Sequence, residues 1–148
     1  MVSSSKIYKT TSPEETERIG RELAKTLKSG DIITLDGDLG AGKTVFTRGV
    51  TSGLNIEAHV CSPTYTIVNE YIGKENSILP AVFHFDTYRL TGSDDFYDSG
   101  LEEYLYRDGI CVIEWSSIIK EVLDELQERN IIRIEITGNG DDRTITIS

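Results

Sequence analysis

Apolar positions along this chain change period several times, and each change marks an element. Lys6 to Thr10 is a short stretch of strand character. Ser12-Pro13-Glu14-Glu15 then predicts a helix start, with a capping serine, proline in the first helical position and glutamate at the third. Ile19, Leu23 and Leu27 recur every four residues as a buried stripe, and Gly30 supplies an end. Asp31 to Leu35 reads as a central strand closed by Asp36, and Lys43 to Gly53 as a helix with Phe46 and Val50 on one face. Thr66 to Tyr71 and Ala81 to Asp86 read as two strands joined by a loop from Ile72 to Pro80. After a polar stretch from Thr91 to Gly109, which holds a short helix at Leu101 to Arg107, Ile110-Cys111-Val112-Ile113 is a continuous apolar run suited to a strand buried on both faces. Ser117 starts a helix with Ile118, Val122, Leu123 and Leu126 inward and Asn130 as its end. Ile132, Ile134 and Ile136 alternate with polar residues, Gly138-Asn139-Gly140 turns the chain, and Ile145 and Ile147 alternate again as a closing antiparallel hairpin. The expectation is one α/β domain over residues 1–148, a mixed β-sheet with helices on both faces.

One stretch carries chemistry. Gly37-Asp38-Leu39-Gly40-Ala41-Gly42-Lys43-Thr44 matches the phosphate-binding pattern G-x-x-x-x-G-K-[ST], between a strand and a helix as that pattern requires. Gly37, Gly40 and Gly42 permit backbone angles that turn successive N–H groups inward around a phosphate. The helix that follows adds its free N–H groups and positive dipole end at the same point. Lys43 can reach β- and γ-phosphates, and the Thr44 hydroxyl can ligate Mg2+. This predicts a P-loop NTPase-like sheet binding a nucleoside triphosphate.

Two acids stand at the ends of buried strands, Asp86 after Ala81 to Phe85 and Glu114 after Ile110 to Ile113. A nucleotide-binding sheet uses such acids to hold Mg2+ or to activate water. Asp36 and Asp38 are expected to face solvent or the outer shell of the metal. His84 shares a strand face with Asp86, as a hydrogen-bonded core residue or as a base. Ser62, Thr64 and Thr66 lie in a loop that is either plain or a switch offering hydroxyl oxygens to metal or water. Trp115 either stacks beside the site or caps the core, and Arg89 is either an arginine finger or half of an ion pair. Thr11 and Ser12, at the mouth of the first helix, cap it or touch a nucleotide base.

A net charge of -10 over 148 residues makes the chain a poor nucleic-acid binder by itself, so any RNA would be held chiefly by another subunit, and DNA binding is not expected. No apolar run approaches the roughly 18 residues of a membrane helix, and Met1 to Ser5 lacks the apolar core of a signal peptide, so a cytoplasmic location is expected. Cys61 and Cys111 have no metal-ligand spacing and are expected as buried free thiols.

The runs Gly37 to Thr44, Ser62 to Thr66 (SPTYT), His84 to Leu90 (HFDTYRL), Gly100 to Tyr104 (GLEEY) and Val112 to Trp115 (VIEW), in this order, resemble the bacterial TsaE family, also called YjeE. The resemblance spans nearly the whole chain. It implies a P-loop ATPase that supports formation of N6-threonylcarbamoyladenosine at position 37 of tRNAs reading codons that begin with A, acting with TsaB and TsaD and meeting tRNA through that complex. It further implies that Gly40 to Thr44 bind phosphates, Thr44 and Glu114 hold Mg2+, Asp86 supports the metal or the water, Thr64 belongs to the switch, Trp115 lies by the nucleotide and Thr11 near the base. Val45 departs from the second threonine common in the family, leaving its backbone N–H for the α-phosphate. Two other classes share the loop, a small-molecule kinase and a non-catalytic nucleotide-gated scaffold; the guanine-reading motif N-K-x-D is absent.

Overall fold

Strands that are apolar on both faces need cover on both, and that requirement sets the layering of this chain. The computed structural model describes residues 5–37, 42–63, 66–126 and 128–148. In chain order these form β1 (Lys6–Thr10), α1 (Pro13–Ala24), β2 (Ile32–Gly37), α2 (Lys43–Gly53), β3 (Val68–Ile72), β4 (Ala81–Asp86), α3 (Ser93–Asp98), a 3-10 helix (Leu101–Tyr106), β5 (Ile110–Glu114), a second 3-10 helix (Ser116–Ile119), α4 (Lys120–Asp124), β6 (Ile131–Asn139) and β7 (Asp142–Ile147). The strands make a seven-stranded sheet ordered β1-β7-β6-β2-β5-β4-β3. The pairings β6–β2, β2–β5 and β5–β4 are parallel, and β1–β7, β7–β6 and β4–β3 are antiparallel.

Alternation along the parallel strands feeds two cores. Ile33, Leu35, Val82, Ile110 and Val112 pack with Ile19, Phe46 and Val50 of α1 and α2. Their neighbours Ile32, Phe83, Phe85, Cys111 and Ile113 pack on the other side with Phe96, Leu105, Ile119 and Val122. Helices therefore cover both faces, as the continuous apolar runs require. The same alternation sorts the polar strand ends: Gly37, His84, Asp86 and Glu114 share the face of α1 and α2, whereas Asp36 falls on the opposite face.

Asp36 is accordingly not turned to the phosphate side. Its carboxylate accepts from Ser116 N at 3.0 Å and from Ser116 Oγ at 2.7 Å, tying the second 3-10 helix to the end of β2. Other expectations shift for local reasons. The first helix ends at Ala24, so Leu27 reaches the core from the following turn, and Gly30, at φ +94°, turns the chain into β2. β3 starts at Val68 because the backbone at Ile67 has φ +28°. The single helix expected from Ser117 is split into a 3-10 turn and the short α4, and Ile119 is fully buried. The hairpin pairs Asn139 with Asp142, which moves its turn to Gly140-Asp141. Of the two thiols only Cys111 is buried, where desolvation pushes its pKa up to about 12; Cys61 is exposed in the irregular stretch before β3. No helix among the described residues is long and apolar enough to cross a membrane.

α1 and α2 meet backbone to backbone. A Cβ on Gly20 would lie 2.4 Å from the Phe46 carbonyl oxygen, and one on Gly49 would lie 2.1 Å from the Glu17 carbonyl oxygen. Gly49→Ala should therefore force the helices apart at a cost of about 3 kcal/mol, seen as a fall of about 10 °C in the thermal midpoint by calorimetry. Asp36→Ala removes two charge-assisted hydrogen bonds and should cost about 1–3 kcal/mol in urea unfolding.

Candidate active site

The parallel strands β2, β5 and β4 end side by side, and their carboxyl ends face the start of α2. Leu35 pairs with Glu114, and Glu114 with Asp86, so both acids stand in one row across the sheet. β2 continues to Gly37, where only glycine fits: φ is +141° and a Cβ would lie 1.9 Å from the Ile136 carbonyl oxygen of β6. Gly42 stands immediately before α2 in the left-handed region, φ +91°, which sets the entry of Lys43 into the helix. Asp38, Leu39, Gly40 and Ala41 lie outside the described residues, as does Thr64.

Gly42, Lys43, Thr44, Val45, Ser62, Asp86, Glu114 and Trp115 line one cavity of about 260 Å³. The expected loop lysine, helix hydroxyl, both acids, the tryptophan and one switch residue are thus brought together. Thr66 is not among them; its hydroxyl donates to Asn69 Oδ1 at 2.9 Å. Thr11 is engaged locally, its N–H and hydroxyl both donating to the Glu15 carboxylate while Ser12 Oγ accepts from Glu15 N. Behind Gly42 and Val45, however, a smaller cavity is lined by Pro13, Thr16 and Arg143, so the mouth of α1 does adjoin the start of α2. Arg143, on β7, was invisible as a site neighbour because only the sheet order carries it there. Arg89 is exposed beyond the end of β4 and does not line the larger cavity.

Lys43 is almost fully buried, and a cation so placed needs compensation. Its Nζ donates to the Gly37 carbonyl oxygen at 3.3 Å, lies 3.6 Å from Glu114 Oε1 and sits 5.1 Å from the centre of the Trp115 ring. Trp115 packs in turn on Tyr88, 5.0 Å between ring centres. Its left-handed backbone, φ +60°, is held by Thr87, whose hydroxyl lies within hydrogen-bond reach of the Glu114 and Trp115 carbonyl oxygens at 3.0 and 2.7 Å. Asp86 Oδ1 accepts from Tyr88 N at 3.0 Å, which leaves its other oxygen unassigned by that contact.

Glu114 is buried and answered on both oxygens. Oε2 lies 2.5 Å from His84 Nε2, and His84 Nδ1 lies 3.0 Å from the Tyr71 hydroxyl. The Tyr71 hydroxyl also accepts from Cys61 N at 3.3 Å and lies 3.0 Å from the Cys61 carbonyl oxygen, so the His84 tautomer decides whether its one proton faces Nδ1 or that carbonyl. Burial pushes the Tyr71 phenol above its ordinary range, so the proton stays on it. His84 is thus a hydrogen-bonded core residue, the first of its two sequence readings. Among the described residues no buried side-chain nitrogen or oxygen lacks a partner.

These side chains can hold an oxyanion and a hard cation. Lys43 and the N–H groups at the start of α2 suit phosphate, while the Thr44 hydroxyl and the Asp86 and Glu114 carboxylates are the oxygen donors that Mg2+ prefers. Among the described residues no group of three or more His, Cys, Asp or Glu could hold a metal unaided.

The family model described as "Threonylcarbamoyl adenosine biosynthesis protein TsaE" matches residues 10–145. The tRNA threonylcarbamoyladenosine biosynthesis protein TsaE of Bacillus subtilis (strain 168) is 45% identical over 141 residues, 95% of this chain and 84% of that protein. Its namesake in Treponema pallidum (strain Nichols) is 36% identical over 137 residues, 93% of this chain and 96% of that one. The crystal structure of Bacillus subtilis YdiB superposes with a TM-score of 0.75 at 34% identity, covering 99% of this chain and 86% of the other. With the family match running from β1 into β7, and relatives of that name aligned over more than nine-tenths of its length, the chain belongs to the TsaE family.

Proposed function

We propose that this protein binds ATP with Mg2+ and transfers its γ-phosphoryl group to water, as the ATP-using component in formation of threonylcarbamoyladenosine on tRNA. The observation that carries the reading is the convergence of Lys43, Thr44, Asp86 and Glu114 on one cavity at the carboxyl ends of β2, β4 and β5. Family membership supports the pathway, and the cavity supports the chemistry.

Lys43 is the residue that meets the phosphates. Its present partners, a carbonyl oxygen at 3.3 Å and a carboxylate at 3.6 Å, are both long, so an incoming triphosphate competes for the ammonium on favourable terms. Thr44 and Glu114 would hold Mg2+, with Asp86 beside them, and the ion when bound supplies charge neutralisation on the phosphate oxygens. Released from Lys43, Glu114 keeps its Oε2 on His84 and is thereby held in orientation toward the cavity. Asp86, whose Oδ1 accepts from Tyr88 N at the cavity wall, would support the metal or orient the water. Trp115 shields the ammonium from bulk solvent on one side. The partners are the TsaB and TsaD proteins, tRNA is met through that complex, and the setting is cytoplasmic.

Lys43→Ala should lower steady-state phosphate release by about 100-fold or more while leaving the fold intact by circular dichroism. Transfer of label from γ-labelled ATP to a metabolite in place of water would overturn the hydrolase reading. The wild type should hydrolyse ATP weakly alone and strongly with the TsaB and TsaD pair present. Equal rates with and without the pair would remove the assembly from the proposal.

A further inference from the structure

The hydrogen bonds that begin at Glu114 do not end in the core. They pass from β5 through His84 on β4 to Tyr71 on β3 and finish on the backbone of Cys61, which leads into Ser62 at the cavity wall. The register makes this path possible, because Asn69 lies opposite His84 and Tyr71 opposite Val82 on the shared face of β3 and β4. Asn69 adds a clamp at the same place: its Nδ2 donates to the Cys61 carbonyl oxygen at 3.2 Å and its Oδ1 accepts from Thr66 Oγ1 at 2.9 Å. One side chain of β3 therefore holds Cys61 and Thr66 together, and the next one on that face joins Cys61 to the buried acid.

The links differ in how firmly their ends are enclosed. Glu114 to His84 is 2.5 Å, His84 to Tyr71 is 3.0 Å, and the Tyr71 hydroxyl meets the Cys61 backbone at both its carbonyl oxygen, 3.0 Å, and its N–H, 3.3 Å. The first is charge-assisted and fully enclosed, since His84 has no exposure at all. The last joins a buried phenol to an exposed residue outside any helix or strand. A shift imposed at Glu114 is therefore resisted least at Cys61, where the chain is irregular and exposed.

Resting on the reading of the cavity as a nucleotide site, we propose that His84 and Tyr71 are positioning residues that couple the state of Glu114 to the backbone of Cys61, so that occupation of the phosphate site resets the stretch entering Ser62. Neither residue lines the cavity. Both act through the carboxylate. The relay gives the cavity wall at Ser62 a mechanical connection to Lys43 that runs through the sheet rather than through the ligand.

The test is amide hydrogen exchange at Cys61, read on the full chain with and without a saturating non-hydrolysable ATP analogue and Mg2+, with binding to each protein confirmed by calorimetry. In the wild type the analogue should change the Cys61 exchange rate by about fivefold or more, the lower end of ordinary coupling between sites. Tyr71→Phe keeps the ring and loses the hydroxyl, and should reduce that response to less than about twofold. His84→Gln breaks the path one link earlier while leaving the Tyr71–Cys61 contact in place; it should also lose the response, yet retain the protection of Cys61 seen without ligand. A response equal to wild type in either folded variant overturns the relay, and Tyr71→Phe decides alone if His84→Gln does not fold. Binding to the wild type with no change at Cys61 overturns the relay and spares the nucleotide site. No binding to the wild type overturns the nucleotide reading and the relay with it.

Discussion

A carboxylate withdrawn from water must be met by charge or hydrogen bonds within reach, and Glu114 is met on both oxygens. Leaving it unpaired would cost about 3–5 kcal/mol, a large fraction of the stability of a domain this size. That constraint fixes three elements at once. β5 must end beside β4 in the register that brings Glu114 to His84, and α2 must begin where its first residue lies over both. A helix started one residue later would swing Lys43 by about 100° and leave the acid on His84 alone. The glycines at 37 and 42 serve this geometry, the first by closing onto β6 and the second by aiming the helix.

The same arrangement reconciles stability with chemistry. Buried ion pairs rarely stabilise a fold more than apolar packing would, so their retention calls for another reason. Here the pair is uneven: the histidine side is short and enclosed, the lysine side long and at the edge of a cavity. Under the nucleotide reading this asymmetry decides which contact yields. Lys43 exchanges its partner for phosphate, and the acid keeps its orientation through His84.

Much of this was legible in the residues themselves. The continuous apolar run at Ile110 to Ile113 implied a strand covered on both sides, and Asp86 and Glu114 at the ends of buried strands stood out because an acid is costly to bury there. What was not legible depended on pairing and parity. Asp36 and Glu114 look alike as strand-end acids, but one residue of offset sends Asp36 to the far face and to Ser116. Tyr71 and Asn69 carry no motif; only their register against β4 places them on His84 and Cys61. The break after β5 was equally hidden, because it rests on a left-handed tryptophan, a conformation that composition gives no reason to expect.

The glycine contact between α1 and α2 bears on motion as well as on stability. Helices separated by a layer of side chains can slide by repacking that layer, whereas helices in backbone contact have no such cushion. Gly20 on Phe46 and Gly49 on Glu17 therefore lock α1 to the helix that starts with Lys43. β1 is joined to this pair through the Thr10 and Thr16 hydroxyls, 2.8 Å apart. Whatever tilts the start of α2 has a lever two helices wide, and its far end is the outer surface of α1 rather than the rim of the cavity.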